Sequence, residues 1–222
     1  MATGPKYDFV MQGSFFAHRA LTRDTQMLNS LTNRIDSLSK EQITQLRKWY
    51  EFYWNMMEQH HQAEDDILFL ELEKRMDQPS EIIEAMEVEH NRLQFLIDEI
   101  KRLIGETERE PDSVKTLKPD LTQYTRELLH LFSSHIAGEE KFVYEMMTTH
   151  FSPGDQRGIE EKVKRKAPIT YLSYMIPWLH DSLTPEEKKR LDRELPWTAK
   201  LLNRFFWTEK YNRIAKPLKE LI

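Results

Sequence analysis

The chain of 222 residues contains no cysteine. Disulfides, zinc ribbons, iron–sulfur clusters held by thiolates and thiol nucleophiles are thereby excluded. Any metal would have to be held by histidine and carboxylate, a donor set that suits iron, manganese or zinc rather than copper(I). Glycine is scarce, at 6 residues, and no low-complexity run occurs, which favours helices over strands. A basic excess is also lacking: the formal net charge is −5, with both signs mixed along the chain. That is not the electrostatic footprint of a nucleic-acid binder. No apolar run approaches the roughly 18 residues of a membrane span. The opening MATGPKYDFVMQG lacks the charged-then-apolar pattern of a secretory signal. These absences predict a soluble, cytoplasmic protein that engages neither nucleic acid nor membrane.

What the chain does have is helical periodicity. Four segments carry apolar residues at alternating steps of three and four, as helices packed in a bundle do. The first covers residues 14–38, with His18, Leu21, Thr25, Leu28, Leu31, Ile35 and Leu38 on one stripe. Ser39-Lys40-Glu41-Gln42 reads as a capping box that starts the second. Its stripe is Ile43, Leu46, Tyr50, Tyr53, Met57, His60, Glu64 and Ile67, ending before Pro79. Ser80 is expected to cap the third, which lays out Ile83, Met86, His90, Leu93, Ile97, Ile100 and Ile104, with Gly105 as a stop. A polar connector, ETEREPDSVKTLKP, leads to Leu121, Thr125, Leu128, Phe132, His135, Glu139, Phe142 and Met146, ending before Pro153. Short connections imply antiparallel neighbours. The expected fold is all-α, an antiparallel up-down-up-down four-helix bundle over residues 1–152. The remainder, 153–222, is expected to pack on it as two or three additional short C-terminal helices, having too few apolar residues for a core of its own.

Six polar residues fall on the apolar stripes: His18, His60, Glu64, His90, His135 and Glu139. At roughly 1.5 Å rise per residue, the distance of each from its nearest turn brings all four histidines to one height. Buried charge is costly unless it is paired or binds a metal. Two carboxylates facing each other in an apolar core would raise each other's pKa, and a pair of divalent ions removes that conflict. Each His-x-x-x-Glu pair supplies one imidazole and one carboxylate from a single helix face.

The stretch HHQAEDD offers two such pairs, His60 with Glu64 or His61 with Asp65. The stripe through Tyr53, Met57 and Ile67 favours the first. His61 is then expected at the shoulder of the core, outside the ligands, with Asp65 and Asp66 facing solvent or bonding a ligand from outside. His130 is expected at the surface, and His150 and His180 carry no assigned function. Tyr53 and Trp54 read as core aromatics, or as residues lining a substrate pocket or carrying off an oxidising equivalent.

The segments FFAHRAL, HHQAEDDILF, EVEHNRL and HIAGEEKFVYEMM resemble, in order and spacing, the metal-binding segments of hemerythrin-like (HHE cation-binding) domains. The likeness covers residues 14–150, and the tail, with IPWL and WTEKYNR, is similar to the extension of many bacterial members. The resemblance implies a non-haem centre of two iron ions, carboxylate- and oxo- or hydroxo-bridged, with manganese and zinc as alternatives. It makes His18, His60, His90 and His135 terminal ligands, and Glu64 and Glu139 the bridges. Glu89 matches an acidic position near the metals in the nitric-oxide-responsive iron-repair branch, as a further ligand or a proton relay. One departure stands out. Oxygen-carrying members use five histidines, with a second one on the third helix where this chain has Gln94. Their fourth helix ends in a histidine and an aspartate spaced by five, where this chain has His135-x-x-x-Glu139. Fewer imidazoles and more carboxylate make a harder set that favours oxidised metal, which argues against reversible oxygen transport. The leading expectation is a di-iron oxidoreductase acting on oxygen, peroxide or nitric oxide with an electron-transfer partner. A non-catalytic iron or oxygen sensor or store, and an oxygenase with an organic substrate, are the alternatives.

Overall fold

The structure, a computed structural model, describes residues 13–76 and 81–222. Four long helices make the bundle: α1 (Gly13–Asn33), α2 (Lys40–Ala63), α4 (Glu81–Arg109) and α5 (Val114–His150). The second is continued by a π-helical turn, Glu64–Phe69, and by α3 (Leu70–Glu73). Side chains that meet across the helices fix their directions. His18 and Thr25 on α1 face His60 and Tyr53 on α2; Tyr50 on α2 donates to the Ile97 carbonyl on α4. His90 and Arg92 on α4 face His135 and Glu127 on α5, and Thr32 on α1 meets Thr125 on α5. His61 on α2 also meets His90 on α4, and His18 on α1 meets Glu140 on α5, so in each pair one number rises as the other falls and neighbours run antiparallel. The all-α expectation holds.

Boundaries differ from the sequence reading in places. The first helix ends at Asn33, and Ile35–Ser37 form a 3-10 turn before Ser39, whose capping box with Gln42 is present. Gly105 does not stop α4, which runs on to Arg109. It sits on a face where a Cβ would meet nothing, so glycine is a passenger there and the buried Leu103, Ile104 and Thr107 carry the helix onward. The polar connector is mostly helix as well: only Glu110 and a 3-10 turn, Pro111–Ser113, separate α4 from α5. The Ser80 cap lies outside the described residues.

Beyond α5 the chain forms α6 (Pro153–Lys166), α7 (Ile169–Ser182), α8 (Pro185–Glu194), α9 (Trp197–Leu202), a π turn (Asn203–Trp207) and α10 (Thr208–Lys219). That is more than two or three helices. The proline-bearing starts of α6 at Ser152 and α8 at Thr184 each make a complete capping box, whereas α7 and α9 begin after Pro168 and Pro196 without a side-chain cap. Trp178, Leu179, Leu183, Tyr211, Ala215 and Leu218 from this tail are buried in the same apolar cluster as the bundle. Among the described residues no helix is long and apolar enough to cross a membrane.

The core is divided. One large apolar cluster takes buried residues from Phe16 to Leu31 of α1, Ile35 of the turn after it, Ile43 to Met57 of α2, Leu93 to Ile104 of α4 and Leu121 to Ile136 of α5. A smaller one takes Phe15, Ile67, Leu68, Phe69, Leu72, Ile83, Met86, Val143, Met146, Met147, Phe151 and Ile159. Between the two, on all four bundle helices, lie the buried polar residues His18, His60, Glu64, His90, His135 and Glu139. A polar layer inserted between two dry clusters costs free energy unless something neutralises it.

Candidate metal centre

All six sequence-predicted residues reach this layer, and each is at most 7% exposed. Their ligand atoms fall into two groups. His18, His60, Glu64 and Glu139 bring one donor atom each within 4.8 Å of one another, and so do His61, His90 and His135. In the first group His60 Nε2 lies 3.0 Å and His18 Nε2 3.4 Å from Glu64 Oε1. In the second, the His61 and His90 rings stack with centroids 4.1 Å apart. Both carboxylates reach across. Glu64 turns Oε1 to the first group and Oε2 toward His90, 3.9 Å away. Glu139 Oε2 lies 3.3 Å from His18 Nε2 and 3.5 Å from His135 Nε2.

His61 is the main difference from the sequence reading. It is 7% exposed and belongs with His90 and His135, not at the shoulder. Two adjacent residues can both face inward because α2 buries a broad face, as the adjacent pairs Trp49–Tyr50, Phe52–Tyr53 and Met56–Met57 before them also show; α2 then passes into the π turn. The extra residue in that turn rotates the rest of the helix, so that Ile67, Leu68, Phe69 and then Leu72 are buried and Glu71 points out. The sequence carried a trace of this: four apolar residues in a row, ILFL, do not fit one stripe. With His61 counted, the layer holds five imidazoles where four were expected on the stripes.

An outer ring of carboxylates orients the imidazoles. Asp65 Oδ1 accepts from His90 Nδ1 at 2.8 Å, Glu89 Oε2 from His135 Nδ1 at 2.8 Å, and Glu140 Oε1 from His18 Nδ1 at 3.2 Å. Glu89, expected as a ligand or relay, therefore stands behind a ligand and faces partly to solvent. Asp65 bonds a ligand from outside, and Glu140 was missed because it lies off the α5 stripe. Tyr53 bonds Thr25 at 2.7 Å and stacks on Trp49 inside the large cluster. The Lys101 ammonium covers the Trp54 ring at 4.1 Å. Neither aromatic belongs to the ligand groups. His130 and His150 are exposed, and His180 pairs with Asp192 at 3.0 Å.

These contacts settle whether the residues fit a metal. An ionised carboxylate only accepts, so the Nδ1 atoms of His18, His90 and His135 carry the protons. The Nε2 atoms of His90 and His135 meet 3.1 Å apart, close enough to share a proton or to turn both toward one cation. His60 Nε2, His61 Nε2, Glu64 Oε2 and both oxygens of Glu139 are buried without an aligned hydrogen bond. Burial, then the charge of Glu139, pushes the Glu64 carboxyl up. Burial and the neighbouring imidazoles push His60 and His61 well down. Against their burial, Glu139 holds the His18 imidazole up and Asp65 holds His90 up. Converging imidazoles and opposed carboxylates, with protons that a cation would displace, are a cation-binding arrangement.

Fold and layer thus define a metal-binding helical bundle. The chain belongs to the hemerythrin family: the family model for the hemerythrin HHE cation-binding domain matches residues 16–147. It is also similar to the Zinc finger protein BRUTUS of Arabidopsis thaliana, at 23% identity over 79% of this chain and 14% of that protein. A BRUTUS-like zinc finger protein of the same plant matches at 25% identity over 69% of this chain and 12% of its own length. The matched region is thus about one seventh of these relatives or less, and it supplies no cysteine for a zinc finger. No solved structure matches.

Proposed function

We propose that the chain holds two iron ions and uses them to bind or react with oxygen, peroxide or nitric oxide. The observation that carries this reading is the pairing of two adjacent ligand groups by two carboxylates, Glu64 and Glu139, each within reach of both. His18 and His60 would hold one ion, and His61, His90 and His135 the other. Paired iron ions supply redox equivalents and an electrophilic position for a small ligand. The protein's own part is to fix the donors. Asp65, Glu89 and Glu140 keep each Nδ1 protonated and each Nε2 aimed inward, and burial keeps His60 and His61 neutral and ready to ligate. The two apolar clusters exclude bulk water from both sides. Turnover would need an electron-transfer partner.

The first test is elemental analysis of the protein purified from its own host, followed by anaerobic iron loading and exposure to air or peroxide. Two irons per chain and oxo-bridge absorption bands are expected, with peroxide consumed if the protein is a di-iron oxidoreductase. Two zinc ions would sink the redox reading. A second reading, reversible binding or sensing, is favoured by the fifth imidazole. It predicts bands that form in air and disappear on degassing without consumption of oxygen.

A further inference from the structure

One face of the tail is both apolar and exposed. The helical run of α9, the π turn and α10 docks on the rest of the molecule through Asn203, Trp207 and Tyr211, all buried. Its opposite face carries Trp197, Leu201 and Phe205 at steps of four, with Leu202 and Phe206 beside them. Trp197 is 71% exposed, Phe206 66% and Phe205 61%. Ile169, 62% exposed, joins this face. Ser173 on α7 meets Lys210 on α10, and Asp181 meets Lys219, so the two helices run in the same direction. One turn back from Ser173 and Lys210 stand Ile169 and Phe206. Single exposed apolar residues are ordinary on a protein surface, but six large ones at one corner mark a contact surface.

The charge around this face selects what covers it. No Asp or Glu occurs from residue 195 to 208 or from 162 to 180, in a chain whose net charge is −5. Lys200 and Arg204 are exposed within the first stretch and, among the described residues, form no ion pair; the Arg204 guanidinium lies 5.5 Å over the Phe205 ring. A second copy of the chain would set the face against itself, cations against cations. A bilayer surface takes outward-standing aromatic rings at the headgroup level without a matching cavity, and anionic lipids answer the two cations. The expectation of no membrane contact rested on the lack of a spanning run, but a helix lying in the interface needs an apolar face, not an apolar length. We propose that α9 and the π turn rest the protein on an anionic lipid surface. Trp197, Phe205 and Phe206 enter the headgroup region, and Lys200 and Arg204 face the lipid anions.

The full chain is sedimented with vesicles of phosphatidylcholine alone or with about 30% phosphatidylserine, an anionic surface. Wild type should bind the anionic vesicles, and less as salt rises. Lys200→Ala with Arg204→Ala should weaken that binding about 30-fold. Phe205→Ser with Phe206→Ser should weaken it about 100-fold. These side chains are exposed, so both variants should keep the wild-type melting temperature. Anionic vesicles should also shift tryptophan emission to the blue, and Trp197→Phe, which keeps the apolar face, should lose most of that shift. No wild-type binding to anionic vesicles overturns the proposal, whether the chain then dimerises through this face or holds an acidic protein there. Binding that survives the paired phenylalanine substitutions overturns it as well, and so does a blue shift that persists in Trp197→Phe, since the contact would then lie elsewhere.

Discussion

Two buried polar clusters lie six residues apart on α1, and they solve the same problem in opposite ways. At Asp24, 1% exposed, one carboxylate oxygen accepts from Arg23 Nε at 2.7 Å and the other from the indole of Trp178 at 2.7 Å. Arg23 reaches on to Asp181, which also takes the Tyr211 hydroxyl at 2.9 Å and the Lys219 ammonium. Burial pushes the Asp24 carboxyl up, and Arg23 pulls against it, so the charge is balanced by cations and donors built into the chain. In the histidine layer the donors are nearly all bases. Both oxygens of Glu139, 1% exposed, lack an aligned hydrogen bond. The first cluster is complete as protein and ties the tail to the bundle. The second is complete only with cations. Burial of polar groups does not by itself mark a functional site; burial without internal donors does.

The comparison breaks most visibly at Glu64. Glu64→Gln should empty the metal centre, read by elemental analysis, and remove the several kcal/mol of stability that bound metal lends the loaded wild type. The stripped proteins should behave differently. A carboxyl whose folded pKa is raised makes the metal-free wild type lose stability as pH climbs from the ordinary glutamate range to that raised value. Metal-free Glu64→Gln lacks this loss, so it should match wild type near pH 4.5 and melt increasingly higher as pH climbs through neutrality to 9. Equal melting of the two stripped proteins at pH 9 would deny the strain.

At the other cluster the order inverts. Asp24→Ala leaves Arg23 and the Trp178 indole without their buried partner and should cost about 3 kcal/mol in denaturant unfolding, with metal content unchanged. Trp178→Phe, which removes only the indole donor, should cost about 1–2 kcal/mol. A loss of metal in Asp24→Ala would show that the two clusters are coupled rather than separate. The smallest effect belongs to Lys166→Ala. Its partner Asp66, at 3.4 Å, is on the π turn next to Asp65, but the pair is exposed. A change within about 0.5 kcal/mol is expected, and an effect on metal affinity would show that the tail steers the turn.

Much of this was legible beforehand, and the residues show why. His18, His60, His90 and His135 stand on uninterrupted stripes, and antiparallel helices of known rise put equal distances from the turns at equal heights. Glu64 and Glu139 follow at the helical repeat. His61, Glu140 and Ser14 were not legible. His61 depends on how broad a face α2 buries against its neighbours, Glu140 on the side from which α1 approaches α5, and Ser14, whose hydroxyl donates to Glu64, on how deeply the first turn of α1 enters the layer. Gly105 misled for a related reason: a local stop signal of about 1 kcal/mol is outweighed by the burial of Leu103, Ile104 and Thr107.

The sequence by itself determined the four bundle helices, their order, the absence of thiolate chemistry and a layer to which each of those helices brings a histidine, because periodicity and composition are local properties. Only the tertiary structure decided that the layer contains five imidazoles in two unequal groups, that its imidazoles converge while the oxygens of Asp24 are answered, and that a serine hydroxyl enters the group with fewer imidazoles. Those facts depend on helix register and on which faces meet, and neither is written in the spacing of residues along one helix.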